Sequence, residues 1–133
     1  ACMRVIAERL HDWGLLPVSV EESLSPQGQQ HRRWLACGVA HHLGLDVHDC
    51  AQARFESYQS APIRPGMIFT IEPMINAGRK ELRILPNGWT AVTKDRSLSA
   101  QWEHTILVTE TGYEVLTVSP KCPPAPSWIK PSA

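Results

Sequence analysis

The stretch "PGMIFTIEPMI", residues 65–75, decides the fold. Its aromatic and β-branched residues favour a strand, and the Pro-Gly pair that opens it is typical of a turn. Similar short runs follow, separated by turn signals such as "NAG", "PNG" and "ETG": "ELRIL", "WTAVT", "HTILVT" and "YEVLTV". The sequence from residue 64 onward therefore predicts a meander of antiparallel strands.

The N-terminal segment has a different, helical periodicity. Met3, Ile6, Leu10 and Trp13 recur at the spacing of one helix face, and Gly14 is a helix-ending residue. Downstream, "SVEESLSPQGQQ" offers Ser19 and Ser23 as N-caps, which predicts one or two helical turns followed by a loop. The predicted fold class is α+β, with an N-terminal helix or helices packed on an antiparallel β-sheet.

Composition narrows the class of protein. A chain of 133 residues is within the usual range for one domain. Because 13 basic residues balance 13 acidic ones, we expect neither nucleic acid nor a membrane surface as a partner. No apolar run approaches the roughly 20 residues of a spanning helix, and the charged first segment is unlike a signal peptide, so we expect a soluble, cytoplasmic protein.

The sequence also predicts where the domain ends and the state of its cysteines. Residues 1–118 are predicted to form the domain, and residues 119–133, with five prolines and no periodicity, a disordered tail. Four cysteines occur singly, without a C-x-x-C pair, so neither a zinc ribbon nor a dense disulfide framework is indicated. We expect reduced thiols.

Two carboxylates and a group of histidines stand out. Glu72 interrupts an apolar strand, and Glu103 directly precedes another. A buried carboxylate is costly unless it is paired, hydrogen-bonded or bound to a metal. One such residue is more simply an edge-strand or salt-bridged glutamate. Two such glutamates occur here together with four histidines in one 18-residue window, so a metal site becomes an equally good interpretation. The histidines are His31, His41, His42 and His48.

That combination would suit hydrolysis. Oxygen-rich sites with one imidazole accept Mn(II), Fe(II), Co(II) or Zn(II), and such ions activate water and polarise carbonyl groups. A second, non-ligating histidine seven residues beyond the first could contact the substrate.

Two segments resemble the pita-bread metallopeptidases. "HRRWLACGVAHHLGLDVHD" is similar to the histidine-bearing segment of Xaa-Pro aminopeptidase (aminopeptidase P), a likeness that we extend over residues 1–60. "RPGMIFTIEPMINAGRKELRILPNGWTAVTKDRSLSAQWEHTILVTETGYEVLT" is similar to the C-terminal stretch of type I methionine aminopeptidase, over residues 64–118. The resemblance implies the C-terminal half of a pita-bread fold and a metal-dependent aminopeptidase ancestry.

The resemblance also implies roles for individual residues. His41, Glu72 and Glu103 match three ligands of a dinuclear site for divalent transition metals. His48 matches a histidine on the substrate side that is not a ligand. Glu72 is in addition a candidate for handling the proton of the attacking water. His42 matches no functional position, and we expect it to be at the surface or to pack.

The chain departs from the family pattern in three ways. The family's two aspartate ligands belong to a motif in the N-terminal half of the domain. None of Asp46, Asp49 and Asp95 lies in such a motif. Cys37 stands where aminopeptidase P carries a further histidine. One family's sequence also gives way to the other's near residues 60–64, which suggests a chimeric or shuffled half-domain.

Two functional hypotheses and one assembly follow. The chain is either a metalloaminopeptidase, weak or inactive as an isolated half, or an engineered or shuffled folded module with a relic metal site and no enzymatic function. We expect the apolar sheet surface that would face the missing half of the domain to be exposed, and such a patch favours association. We expect a homodimer that brings the carboxylates of two chains together, and a peptide N-terminus as substrate if the chain is active.

Overall fold

The computed structural model describes residues 1–49 and 62–124. The chain divides into two compact units, the first formed by Ala1–Val39 and Pro73–Trp102, the second by Ala40–Glu72 and Glu103–Ala133. The described part contains helices α1 Cys2–Asp12 and α2 Val20–Leu24, the 3-10 helix Gln30–Trp34, and strands β1 Ile68–Ile71, β2 Met74–Asn76, β3 Leu82–Ile84, β4 Ala91–Thr93, β5 Ser99–Gln101, β6 His104–Val108 and β7 Tyr113–Val115. Both secondary-structure types predicted from the sequence are present, and the α+β class is confirmed.

Helix α1 follows the predicted apolar periodicity. Ala7 and Leu10 are fully buried, whereas Trp13, expected on the same face, is 63% exposed. Trp13 is the residue at which the helix ends, and Gly14 follows with φ of +69°. A positive φ favours glycine, so this residue reverses the chain immediately after the helix.

One of the two candidate N-caps begins helix α2. The Ser19 hydroxyl accepts the N–H of Glu22 at 3.2 Å, which satisfies one backbone donor of the first turn. Ser23 instead lies buried within the helix, where its hydroxyl accepts the backbone N–H of His31 at 2.9 Å. This hydrogen bond links α2 to the 3-10 helix, an element that was not predicted from the sequence.

The core of the first unit lies between its helices and strand β2. Its buried members are Ala7, Leu10, Leu16 and Trp34, and Ile75 of β2 packs against them. Burial of a leucine-sized side chain stabilises the fold by about 1.5–3 kcal/mol. The prediction that N-terminal helices pack on an antiparallel sheet is confirmed in this unit, where β2 pairs with β5 and β3 with β4.

The second unit is built on a three-stranded antiparallel sheet in the order β1-β6-β7. Ile71 at the end of β1 pairs with His104 at the start of β6. Thr70 and Ile106 are the buried residues of these two strands. The residues that immediately follow β1 and precede β6 consequently emerge at one end of this ladder.

The connectivity differs from the predicted meander. Among the described strands, sequence neighbours pair only as β3 with β4 and β6 with β7. The pairs β1 with β6 and β2 with β5 join distant parts of the chain. The sequence also gave no sign of β5, because its residues, Ser99, Ala100 and Gln101, are exposed and lack apolar alternation.

Several expectations concern the chain ends and connections. Residues 119–124 contain neither helix nor strand, while the rest of the predicted tail, the junction before residue 62 and Cys50 lie outside the described residues. Cys2 and Cys122 are free thiols, as expected. Within the described ranges, no helix combines the length and the apolar character needed to cross a bilayer.

Candidate metal centre

His41 is placed by an extended segment that runs beside strand β1. The N–H of Thr70 donates to the His41 carbonyl at 2.8 Å, and the N–H of Leu43 donates to the Ile68 carbonyl at 3.2 Å. Between these two hydrogen bonds, His42 pairs with Phe69 in a single β-bridge. The strand that carries Glu72 at its end therefore also fixes the backbone of His41.

Three predicted ligands come together at the end of the β1–β6 ladder. Glu72 directly follows β1 and Glu103 directly precedes β6, so the pairing of Ile71 with His104 places both glutamates just beyond the last paired residues. One ligand atom from each of His41, Glu72 and Glu103 lies within 4.8 Å of the others. The sheet register thus gathers residues that are up to 62 positions apart in the sequence.

The two glutamates differ in burial. The side chains of His41 and Glu72 are 14% and 18% exposed. Glu103 is exposed. It directly precedes strand β6, where the sequence placed it, and lies just beyond the paired residues of the ladder.

The His41 imidazole faces an oxygen acceptor on each side. Its Nε2 is 2.9 Å from Oε1 of Glu72, and its Nδ1 is 3.1 Å from the backbone carbonyl of His42. A carbonyl can only accept a hydrogen bond, so this contact suits the tautomer that carries its proton on Nδ1. A neutral ring then presents the lone pair of Nε2 toward a carboxylate, an arrangement that a proton or a metal cation at this point would stabilise.

His48 lies against the proposed histidine ligand. Its ring centroid is 4.4 Å from that of His41, in an edge-to-face arrangement, and its side chain is exposed. Hydrogen bonds hold the turn that carries it. Among them, the N–H of Asp49 donates to the His42 carbonyl and the N–H of Asp46 donates to the Asp49 carboxylate, both at 3.2 Å. His48 thus lies beside the three-residue cluster and contributes no atom to it, and its role as a substrate-side histidine stays a prediction.

The remaining predicted histidines have other surroundings. His42 packs edge-to-face on Phe69, with 6.0 Å between ring centroids, which agrees with a packing role. His31 is buried in the first unit, where its Nδ1 lies 3.0 Å from the Ser23 hydroxyl. Burial lowers the pKa of His31, so the neutral imidazole is favoured.

Other polar residues stay outside the cluster within the described chain. Asp46, Asp49, Asp95 and Cys37 contribute no atom to the group of three. The first unit carries an open cleft of about 570 Å³ that contains no predicted site residue and is lined by Gln29, Gln30, Arg32, Arg33, Arg79, Lys80 and Glu81.

Thr70 is a further residue at this cluster that was not predicted from the sequence. The residue is 1% exposed, and its hydroxyl is within hydrogen-bonding distance of both His41 and Glu72. The available signal was its position two residues before Glu72, because alternate residues of a strand face the same side of a sheet.

The donor set is suited to a divalent transition metal. One imidazole nitrogen and two carboxylate oxygens are ligands that Mn(II), Fe(II), Co(II) and Zn(II) accept. A ligating histidine commonly donates its other N–H to a backbone carbonyl, and Nδ1 of His41 faces the carbonyl of His42. The residues present therefore fit a metal centre.

Residues 1–110 match metallopeptidase family M24, and the chain belongs to this family.

The chain is similar to two kinds of aminopeptidase. It is 52% identical to methionine aminopeptidase of Escherichia coli K12 over 84 residues, and these residues cover 62% of this chain and 31% of that protein. It is 47% identical over 83 residues to methionine aminopeptidase B of Synechocystis, covering 61% of this chain and 30% of that protein. The crystal structure of zinc-substituted E. coli aminopeptidase P with product matches 86% of this chain and 23% of the other, at 32% identity and a TM-score of 0.60.

These matches bear on the predicted half-domain. The chain spans about a third of the length of the curated relatives that it matches. The pita-bread family that the resemblance implied is confirmed, whereas a chimeric origin stays a prediction.

Proposed function

We propose that His41, Glu72 and Glu103 hold a divalent transition-metal ion and that the chain is part of an aminopeptidase that hydrolyses the N-terminal peptide bond of its substrate. The observation that carries this proposal is the convergence of their three donor atoms within 4.8 Å. When bound, such an ion supplies Lewis-acid chemistry that suits the hydrolysis of a carbonyl compound.

The residues around this centre would divide the work. Glu72 is the better shielded carboxylate, and its position beside the His41 imidazole suits it to take up a proton from water during hydrolysis. His48 is exposed and contacts His41, so its ring can donate a hydrogen bond to a substrate carbonyl without being a ligand.

The substrate class rests on the relatives. The relatives compared above by sequence are named methionine aminopeptidases, and the aminopeptidase P structure matches most of the chain. Peptides that begin with Met or with Xaa-Pro are therefore the substrates to test. We expect weak turnover by this chain, because the resemblance implies two further aspartate ligands that the three-residue cluster does not include.

Metal content tests the proposal directly. The protein is loaded with Mn(II), Co(II) or Zn(II), dialysed and measured by mass spectrometry, beside Glu72→Gln and the control Glu114→Gln. Glu114 is an exposed glutamate of strand β7 in the same unit. Binding by the parent and the control but not by Glu72→Gln supports the centre. Equal metal content in all three proteins contradicts it.

A relic site is the second candidate, and the exposure of Glu103 favours it. An exposed carboxylate is stable in water without any metal. A relic would melt at the same temperature with and without EDTA, and Glu72→Gln would leave stability unchanged or raise it, because a partly buried charge is removed. A metal-dependent rise in melting temperature that Glu72→Gln abolishes would rule the relic out.

We also propose that two copies of the chain associate. Large apolar side chains are exposed in the first unit, Trp89 at 88%, Leu98 at 83% and Trp102 at 55%. Exposed apolar surface of this kind favours protein association. Light scattering after size-exclusion chromatography is expected to give a dimer mass. A monomer across micromolar concentrations would contradict this assembly.

A further inference from the structure

We infer that Thr70 is a positioning residue of the metal centre, with its hydroxyl setting the orientation of Glu72 relative to His41. The inference rests on the proposed function, since it concerns the same centre. Thr70 lies in β1, two residues before Glu72, and is only 1% exposed. A hydroxyl in such a place needs hydrogen-bond partners.

The contacts of Thr70 join both proposed ligands. Its hydroxyl oxygen is 3.2 Å from the backbone nitrogen of His41 and 3.3 Å from Oε1 of Glu72. Its backbone N–H donates to the His41 carbonyl at 2.8 Å. One residue thus contacts the main chain of the imidazole ligand and the side chain of the carboxylate ligand.

The Thr70 hydroxyl has a single proton, so it can donate to only one of its possible acceptors. A threonine hydroxyl has one proton to donate and can accept through its oxygen. The His41 N–H donates to that oxygen, which leaves the hydroxyl proton for one acceptor. The His41 carbonyl, 3.4 Å away, already receives the Thr70 N–H, whereas the Glu72 carboxylate is nearer and, when ionised, the stronger acceptor. We therefore assign the proton to Glu72.

This hydrogen bond would restrict the carboxylate. Oε1 of Glu72 is also the atom 2.9 Å from Nε2 of His41, so the threonine fixes the oxygen that faces the imidazole. Partners of this kind hold a ligand in its binding orientation, and their loss typically weakens metal affinity about 10- to 100-fold.

A threonine at position 70 could also be explained by strand preference alone, so the test must separate the effect of its hydroxyl from that of its shape. β-Branched residues favour strands regardless of any hydroxyl. Thr70→Val keeps the branched shape and removes the hydroxyl, whereas Thr70→Ser keeps the hydroxyl and removes the methyl group. Thr105, paired with Thr70 across the β1–β6 ladder, allows the same Thr→Val change in a matched position.

The experiment measures the dissociation constant for Mn(II), Co(II) and Zn(II) by calorimetric titration of the full chain, with melting temperature as the check on folding. The inference predicts about a 10- to 100-fold weaker affinity in Thr70→Val, and affinities within about threefold of the parent in Thr70→Ser and Thr105→Val. Parent-like affinity in a folded Thr70→Val would overturn it while leaving the metal centre intact. A parent that binds no metal would instead refute the proposed function.

Two further readouts cover the case in which Thr70→Val does not fold. Thr70→Ser with strongly weakened affinity would show that the methyl group matters rather than the hydroxyl, and would overturn the inference. In Co(II)-loaded protein, the visible absorption bands of Thr70→Ser should coincide with those of the parent, because the oxygen that positions Glu72 is retained. A changed spectrum would count against the assignment.

Discussion

The Nε2 atom of His41 lies 2.9 Å from Oε1 of Glu72, while the opposite ring nitrogen faces a backbone carbonyl. The two side chains come from segments 31 positions apart, and the hydrogen bonds between residues 41–43 and strand β1 bring them together. An imidazole with an oxygen acceptor at each nitrogen is arranged to share a cation with the carboxylate.

This arrangement predicts different outcomes for two adjacent histidines. His41→Ala should abolish metal binding, because it removes the only nitrogen donor of the cluster. His42→Ala should retain metal and lower the free energy of unfolding by about 0.5–1.5 kcal/mol, the usual worth of an aromatic pair, since its ring packs on Phe69. Metal content and chemical denaturation of both variants measure these effects. Loss of metal in His42→Ala alone would contradict the assignment.

The core of the first unit predicts a large stability effect at Leu10. This residue is 1% exposed among the helices, and Leu10→Ala should cost about 2–5 kcal/mol through lost burial and a residual cavity. Val5, on the same helix and 42% exposed, provides the control, since Val5→Ala should change the free energy of unfolding by no more than about 0.5 kcal/mol. Urea denaturation gives both values, and equal effects would contradict the described packing.

The buried His31 predicts a pH-dependent stability. Burial, with a smaller contribution from Arg32, lowers its pKa below the usual 6.5, so the unfolded state binds a proton more readily than the folded state. Stability should be fully present above about pH 6.5 and decline as the pH falls below this value toward the folded-state pKa. Melting temperatures measured from pH 8 to pH 5 should show this decline.

Two histidine variants test the origin of that decline. In His31→Gln the part of the pH dependence due to His31 should disappear, although the variant is less stable at every pH because the contact with Ser23 changes. His11→Gln removes an exposed histidine of helix α1 and should retain the decline. A decline that persists in His31→Gln and vanishes in His11→Gln would place the effect elsewhere.

Asp95 predicts a second, more acidic transition. Its carboxylate accepts the N–H of Arg79 at 2.7 Å and that of Ser97 at 3.0 Å, and these bonds lower its pKa from 3.8 to about 2. Because the folded-state pKa is the lower one, the stabilisation is present above about pH 4 and is lost as the pH falls toward 2. Carboxyl carbon shifts followed by NMR should titrate near pH 2 at Asp95.

The matched variant for this transition is Asp95→Asn. It keeps one side-chain oxygen acceptor and removes the charge, so the amide protons of Arg79 and Ser97 should lose their chemical-shift change near pH 2. A carboxyl group that titrates near its ordinary value would show that these hydrogen bonds do not form in solution.

Much of the candidate site could be predicted from the sequence, but only in combination with a resemblance. Glu72 and Glu103 stand out as carboxylates beside apolar strands, and local chemistry is enough to single them out. The residues alone did not decide which histidine joins them, since four occur in one 18-residue window. The matching motifs favoured His41, and the three side chains do converge.

The sequence by itself determined the local structure. Helix α1, the Ser19 cap and most of the strands follow from residue periodicity and turn residues, because these preferences depend on neighbours a few positions away. The tertiary structure alone decided which strands pair, that Glu103 is exposed, and that Thr70 contacts both His41 and Glu72. Those features depend on contacts between segments far apart in sequence, whose register no local preference specifies.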